Sequence, residues 1–194
     1  MQALMSDAAE IPAILEKMDA DGAGAVSGEA LRRFETVLGR LDAWSDSFRS
    51  SVPASSLHFW FLPSGDGRRQ RIWFRDITAA SALTHLWAFR AICLANIDRL
   101  RRLCDPEAAN GAAKTEHFEE AKSLSVMICQ SIEYLMQDKM KLFGPTSVSL
   151  PLQTAYEIFE AGGQQSAEEL DWCKEILADI HKRGYGFVSY FLGV

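Results

Sequence analysis

Cysteine is scarce and scattered. The four thiols, Cys93, Cys104, Cys129 and Cys173, lie 11, 25 and 44 positions apart, so no close pair is present to seed a zinc knuckle or a redox dithiol. They are expected to be reduced, semi-buried packing residues of a chain in a reducing compartment. Basic residues are the minority, 20 against 26 acidic, for a formal charge of −6. The basic footprint that phosphate neutralisation requires is missing, which disfavours direct nucleic-acid binding. No uninterrupted apolar run approaches the roughly 20 residues of a membrane span, and the N-terminal stretch lacks the basic and apolar regions of a secretory leader. A nuclear or cytoplasmic protein, not secreted and without a membrane partner, is therefore expected.

What is present reads as an ordinary globular chain. Its 194 residues are 48% hydrophobic and 24% charged, which suits one domain with one buried core and excludes disorder of the whole chain. No internal repeat, low-complexity tract or linker marks a second domain, so a single domain over 1–194 is expected.

Hydrophobic periodicity predicts an all-α fold, a bundle-like domain of about six helices. Ile11, Ile14, Leu15 and Met18 mark a first helix over Glu10–Ala20, with Pro12 in its first turn. After Asp21-Gly22-Ala23-Gly24, Ser27 suits the N-cap of a second helix carrying Leu31, Phe34, Val37, Leu38, Leu41 and Trp44 and ending near Ser47. A third opens at Asp76 or Thr78 and runs to Cys104, closed by Asp105-Pro106. A fourth comes after the polar segment Glu107–Ala113, over Lys114–Phe143, with Gly144-Pro145 as its stop. Pro151–Ala161 and Ser166–Lys182 complete the set, Ser166 and Glu169 matching a capping box. Between the second and third helices, Leu57–Leu62 and Arg71–Phe74 are short aromatic runs around Pro63-Ser64-Gly65-Asp66-Gly67. This excursion at 57–75 suits a loop or a hairpin. The loop is favoured, because an isolated hairpin is marginal.

Motifs for common chemistries are few. G-x-S-x-G, G-x-x-x-x-G-K-[ST] and G-x-G-x-x-G are all absent. The stretch Asp19–Ala30 resembles a calcium loop in its aspartates at loop positions one and three and glycine at six. Ala23 and Ala30 occupy two ligand positions and Glu29 falls one place early, so a flexible interhelical loop is the better reading. The histidines, His58, His85, His117 and His181, make no metal-ligand spacing, and no metal or cofactor is expected. Phe59, Trp60, Phe61, Trp73 and Phe74 cluster in sequence, with Trp87 and Phe89 soon after. They suit either the wall of a pocket for a flat, greasy ligand or a loop pinned to the helices by its aromatics. Arg68, Arg69 and Arg71, and later Arg99, Arg101 and Arg102, suit solvated surface.

The ordered words Ile128-Cys129-Gln130-Ser131-Ile132-Glu133-Tyr134, Phe143-Gly144-Pro145, Leu150-Pro151-Leu152-Gln153-Thr154-Ala155-Tyr156 and Glu169-Leu170-Asp171-Trp172-Cys173-Lys174, running on to His181-Lys182-Arg183-Gly184-Tyr185-Gly186-Phe187, carry a resemblance. Together they resemble the C-terminal end of the regulatory region of fungal binuclear zinc-cluster transcription factors. The resemblance spans Phe118 to the end, about 40% of the chain, and extends more weakly through 78–104. The family's six-cysteine cluster and basic linker have no counterpart, since no cysteine precedes Cys93. The resemblance implies a helical regulatory domain acting through a regulatory protein, a small hydrophobic metabolite or a second copy of itself, in the control of a secondary-metabolite gene cluster. The alternative is a cofactor-independent cyclase, pericyclase or isomerase on the same scaffold, since fold does not fix function. For that reading His58, His85, Arg90 and Tyr134 are the candidate polar donors, and Trp60, Trp73 and Trp87 the candidate ligand-binding walls.

Overall fold

A computed structural model describes residues 1–51, 53, 56–63, 69–104 and 115–185, with 23–27 described by backbone alone. The expected turn at 64–68, the stop at Asp105-Pro106 with the polar segment after it, and the tail beyond Tyr185 lie outside these residues. The elements are α1 (Gln2–Ala8), α2 (Ile11–Asp21), α3 (Ala23–Ser50), β1 (Phe59–Pro63), β2 (Gln70–Phe74), α4 (Ile77–Cys104), α5 (Glu116–Leu135), α6 (Phe143–Gly162) and α7 (Ala167–Lys182), with short 3-10 turns at Asp138–Met140 and Gly163–Ser166. The fold is all-α, with one small two-stranded sheet among the described residues.

Several boundaries differ from expectation, each for a local reason. The aromatic runs form a hairpin rather than a loop: β1 and β2 pair antiparallel from Phe59 opposite Phe74 to Pro63 opposite Gln70. Neither a calcium loop nor a flexible one separates α2 from α3. The helices meet at Gly22 alone, whose φ of 79° is one that side-chain-bearing residues seldom adopt. The second helix accordingly starts at Ala23, ahead of Ser27. At the N-terminus, α1 is an additional element; at seven residues it is too short for periodicity to single out.

The expected helix Lys114–Phe143 ends instead at Leu135, and Gly144-Pro145 lies in the first turn of α6. Proline is tolerated there because its missing N–H would be unsatisfied anyway. Glycine is required by a close approach, since a Cβ at Gly144 would collide with the Leu135 carbonyl oxygen. Pro151, expected to open a helix, sits inside α6, where it forgoes one bond of the helical ladder. The capping box also fails: Ser166 makes no capping hydrogen bond, and its buried hydroxyl has no partner among the described residues. Glu169 instead pairs with Lys122 at 2.9 Å. Lys122 also donates to the Gln165 carbonyl at 2.6 Å.

By contacts the chain divides into two units, Met1–Ser51 with Phe89–Ala121, and Val52–Ala88 with Lys122–Val194. In the first, α1 and α2 pack on α3, and Leu4, Ile14, Phe34, Val37 and Leu41 are fully or almost fully buried. Its ion pairs tie elements distant in sequence: Arg40 with Glu10 at 3.3 Å, Arg101 with Glu35 at 2.9 Å, and Arg90 with both Asp42 and Glu120. In the second, α6 packs against α7, and Ile72, Phe74, Leu135, Leu152 and Phe159 are buried. α4 contributes to both units. By length and composition it could cross a membrane, but 67% of its most apolar stretch is buried within protein.

Three substitutions test these local arguments by chemical denaturation. Gly144→Ala is expected to destabilise by at least about 1–3 kcal/mol, because backbone must move to admit the methyl. Gly39→Ala, at an exposed helical site with nothing near its Cβ, is expected to stabilise by about 0.5–1 kcal/mol. Ser166→Ala is expected to be neutral or stabilising, where a working cap would cost about 1 kcal/mol.

Candidate functional site

The second unit contains an open groove of about 370 Å³. Its walls come from the start of β2, the C-terminal half of α5 and the length of α7. Ile132, Met136, Ile176 and Ile180 form an apolar floor, and charges of both signs stand around it.

Strand alternation builds one wall. Side chains two residues apart on β2 share a face, so Trp73 and Arg71, with Arg69 just before the strand, point the same way. Trp73 meets the Tyr134 ring edge-on at 5.4 Å. The Arg71 guanidinium donates to the Pro63 carbonyl at 2.9 and 3.1 Å and pairs with Glu133 of α5. The Arg69 guanidinium lies 4.4 Å from the Trp172 ring centroid on α7, a cation–π contact. At the far end Arg183 donates to the Met136 carbonyl at 3.1 Å. Cys129 lines the groove, and the influence of Cys173 together with burial holds its thiol well above the ordinary range, although Arg69 opposes the shift. Cys129 is thus protonated at neutral pH, which does not suit a resting nucleophile. Among the described residues, the groove presents no histidine, lysine or serine. What it can do chemically is hold a small ligand, its apolar body on the floor and its polar ends at the arginines and carboxylates.

The residues singled out from sequence lie elsewhere. His58 is buried just before β1, and its carbonyl accepts from the Arg75 N–H at 3.0 Å. Trp60 is 38% exposed on β1. Trp87 is buried against Phe59 and Phe74, with centroids 5.6 and 6.1 Å away. Tyr134 is buried between Trp73 and Phe74; burial, and then the Asp76 charge, raise its pKa. The structure therefore brings Trp73, Trp87 and Tyr134 into one aromatic cluster around Phe74, with the rings packed on one another. His85 donates from Nδ1 to the Ser81 carbonyl at 2.8 Å, and burial lowers its pKa despite that bond. Arg90 belongs to the first unit, engaged by Asp42 and Glu120. The Asp42 carboxyl is pushed up chiefly by burial, against the pull of Arg90. Asp76 opens α4 by accepting from the Ala79 N–H at 2.8 Å, which holds its carboxyl below the usual range.

Among the described residues no group of three His, Cys, Asp or Glu side chains is placed to hold a metal ion. Comparison with protein-family models, with curated proteins and with solved structures finds no match.

Aromatic density in the sequence points to the cluster and misses the groove. Arg69, Arg71, Trp172 and Arg183 give a signal only through two of the resembling words, which hold Trp172 and Arg183.

His85 provides a pH test. Its folded pKa lies below the ordinary 6.5, so the unfolded chain takes up the proton first and stability is lost as pH falls below that value. Wild-type protein is expected to lose more stability than His85→Gln between about pH 7.5 and 5.5, with a slope difference of at most about 1.4 kcal/mol per pH unit. Equal slopes in urea titrations would overturn the assignment.

Proposed function

We propose that this chain is a helical regulatory domain that acts by binding, with the groove of its second unit receiving a small hydrophobic metabolite, in the control of a secondary-metabolite gene cluster. The observation that supports this reading is where the resembling words meet. Cys129, Ile132 and Glu133 from one word, Trp172 from another and Arg183 from the last all line the same groove. Ile132, Met136, Ile176 and Ile180 supply the apolar part of the lining, and charged and polar side chains supply the greater part of it, a mixture that can hold an apolar body and orient its polar groups. The rim pairs, Arg71 with Glu133 and Arg69 over Trp172, hold the walls in place before a ligand arrives, which lowers the cost of ordering them on binding.

The test is a Trp172→Ala replacement at the chromosomal locus, with transcripts of the neighbouring genes and the metabolite profile recorded from the same cultures. The variant's melting curve is checked on purified protein. A several-fold change in neighbouring transcripts, from a variant that still folds, is the expected result. Unchanged transcripts with one accumulated intermediate would overturn the regulatory reading in favour of a biosynthetic enzyme.

A further inference from the structure

The charges that line the groove are not all answered. Its three arginines are Arg69, Arg71 and Arg183, and its three carboxylates are Glu133, Glu175 and Asp179. Arg71 is paired with Glu133, and Arg69 lies over the Trp172 ring. Asp179, one helical turn before Arg183, pairs instead with Lys182 at 3.2 Å. Arg183 donates from one Nη to the Met136 carbonyl at 3.1 Å, and among the described residues it has no ion-pair partner. A second cavity, of about 530 Å³, adjoins the groove at this end, since Met136 and Arg183 line both. Gln137, Asp138, Lys141 and Tyr185 also line it. Lys141 has φ 52° and ψ −132°, the one positive φ at a non-glycine position among the described residues. A residue with a Cβ adopts that conformation only at a cost, and glycine would hold it without strain. A lysine here is therefore strained for something other than the path of the backbone. Like Arg183, it has no ion-pair partner among the described residues.

We propose that the groove takes a compact monocarboxylate. Its apolar body lies on Ile132, Met136, Ile176 and Ile180, and its carboxylate is held by Arg183 and Lys141 where the two cavities join. The Met136 carbonyl takes up one N–H of the Arg183 guanidinium and leaves donors of the same planar fork for a carboxylate. Lys141 supplies a second positive charge, as a point charge with three donors. The ligand carries one negative charge rather than two because Glu175 and Asp179 line the groove and Asp138 lines the adjoining cavity. Their repulsion falls more heavily on a dianion such as a phosphate monoester. Arg183 and Lys141 are both exposed, so solvent and salt screen them and the carboxylate adds selectivity of a few-fold rather than a large gain in affinity. This inference rests on the groove being the ligand site, and it adds the class of ligand and the end at which the ligand is held.

The full chain, isotope-labelled at its isoleucine and methionine methyls, is titrated at neutral pH with octanoate, octan-1-ol and octyl phosphate. Each Kd is read from the NMR shifts of Met136, Ile176 and Ile180. The three probes share one alkyl chain, so differences among them report the head group. Octanoate is expected to bind about three- to fivefold more tightly than octan-1-ol, and octyl phosphate no more tightly than octanoate. In Arg183→Gln and in Lys141→Gly the preference for octanoate is expected to shrink, with the Kd of octan-1-ol unchanged. Lys141→Gly also relieves the backbone, so its melting temperature is expected to stay level or rise, and its lost preference is then not a loss of fold. Equal Kd values for octanoate and octan-1-ol, or a preference that survives in both variants, would overturn the carboxylate assignment and leave the groove as a ligand site. Tighter binding of octyl phosphate would overturn the single charge. If none of the probes shifts these methyls, the groove itself fails as a ligand site and the carboxylate assignment fails with it.

Discussion

The ring of Phe74 is the contact on which the second unit depends. It is 2% exposed and meets Phe59 of β1 at 6.2 Å, Trp87 of α4 at 6.1 Å and Tyr134 of α5 at 5.2 Å. A lone two-stranded hairpin is marginal in water, so β1 and β2 persist because this ring and its neighbours bury one end of the hairpin against helices. Each such aromatic pair contributes about 0.5–1.5 kcal/mol beyond the area it buries. With Phe74 anchored, the pleat assigns the remaining side chains of β2 to their faces. Ile72 shares the face of Phe74 and is buried, whereas Trp73 and Arg71 take the opposite phase, and Arg71, with Arg69 just before the strand, lines the groove. The groove thus inherits its geometry from an aromatic cluster that is not part of it.

This dependence explains which features are legible in the sequence. α2, α3, α4 and α7 follow from apolar residues recurring at three and four, a pattern set by the helix itself. The hairpin is harder to read, because the rings that Phe59 and Phe74 pack against, Trp87 and Tyr134, lie outside 57–75. Gly144-Pro145 reads as a stop by composition, since glycine after a helix and proline near it are the usual signals. Here both belong to the next helix, the glycine because the Leu135 carbonyl occupies the space a Cβ would need. Ser166 illustrates the same limit: residue type and spacing suit a capping box, but Glu169 is drawn to Lys122 by a tertiary ion pair.

The site is less legible than the fold. Its residues come from three segments, 69–71, 129–136 and 172–183, and the pairs that define it, such as Arg71 with Glu133, have no local period to reveal them. Dense aromatics are conspicuous in a sequence, yet large rings placed close together also satisfy one another, as Phe59, Phe74 and Trp87 do. A groove persists instead where long charged side chains hold an opening apart. Arginines scattered among carboxylates look like solvated surface until the fold shows which of them face one another.

The state of those charges bears on how the groove binds. Arg71 is met by a carbonyl and a carboxylate, and Arg183 by the Met136 carbonyl. Arg71 is thus already compensated by a carboxylate and attracts an incoming anion weakly, whereas Arg183 is met by a carbonyl dipole alone. Charged groups placed in this way confer orientation and selectivity more than affinity. The favourable free energy of binding must then come from the floor of Ile132, Met136, Ile176 and Ile180, through removal of apolar surface from water. A volume of about 370 Å³ lies at the small end of ligand sites. A compact, largely apolar molecule with a polar group at its edge meets both conditions, whereas a highly charged ligand would gain little from the floor and find Arg71 engaged by Glu133.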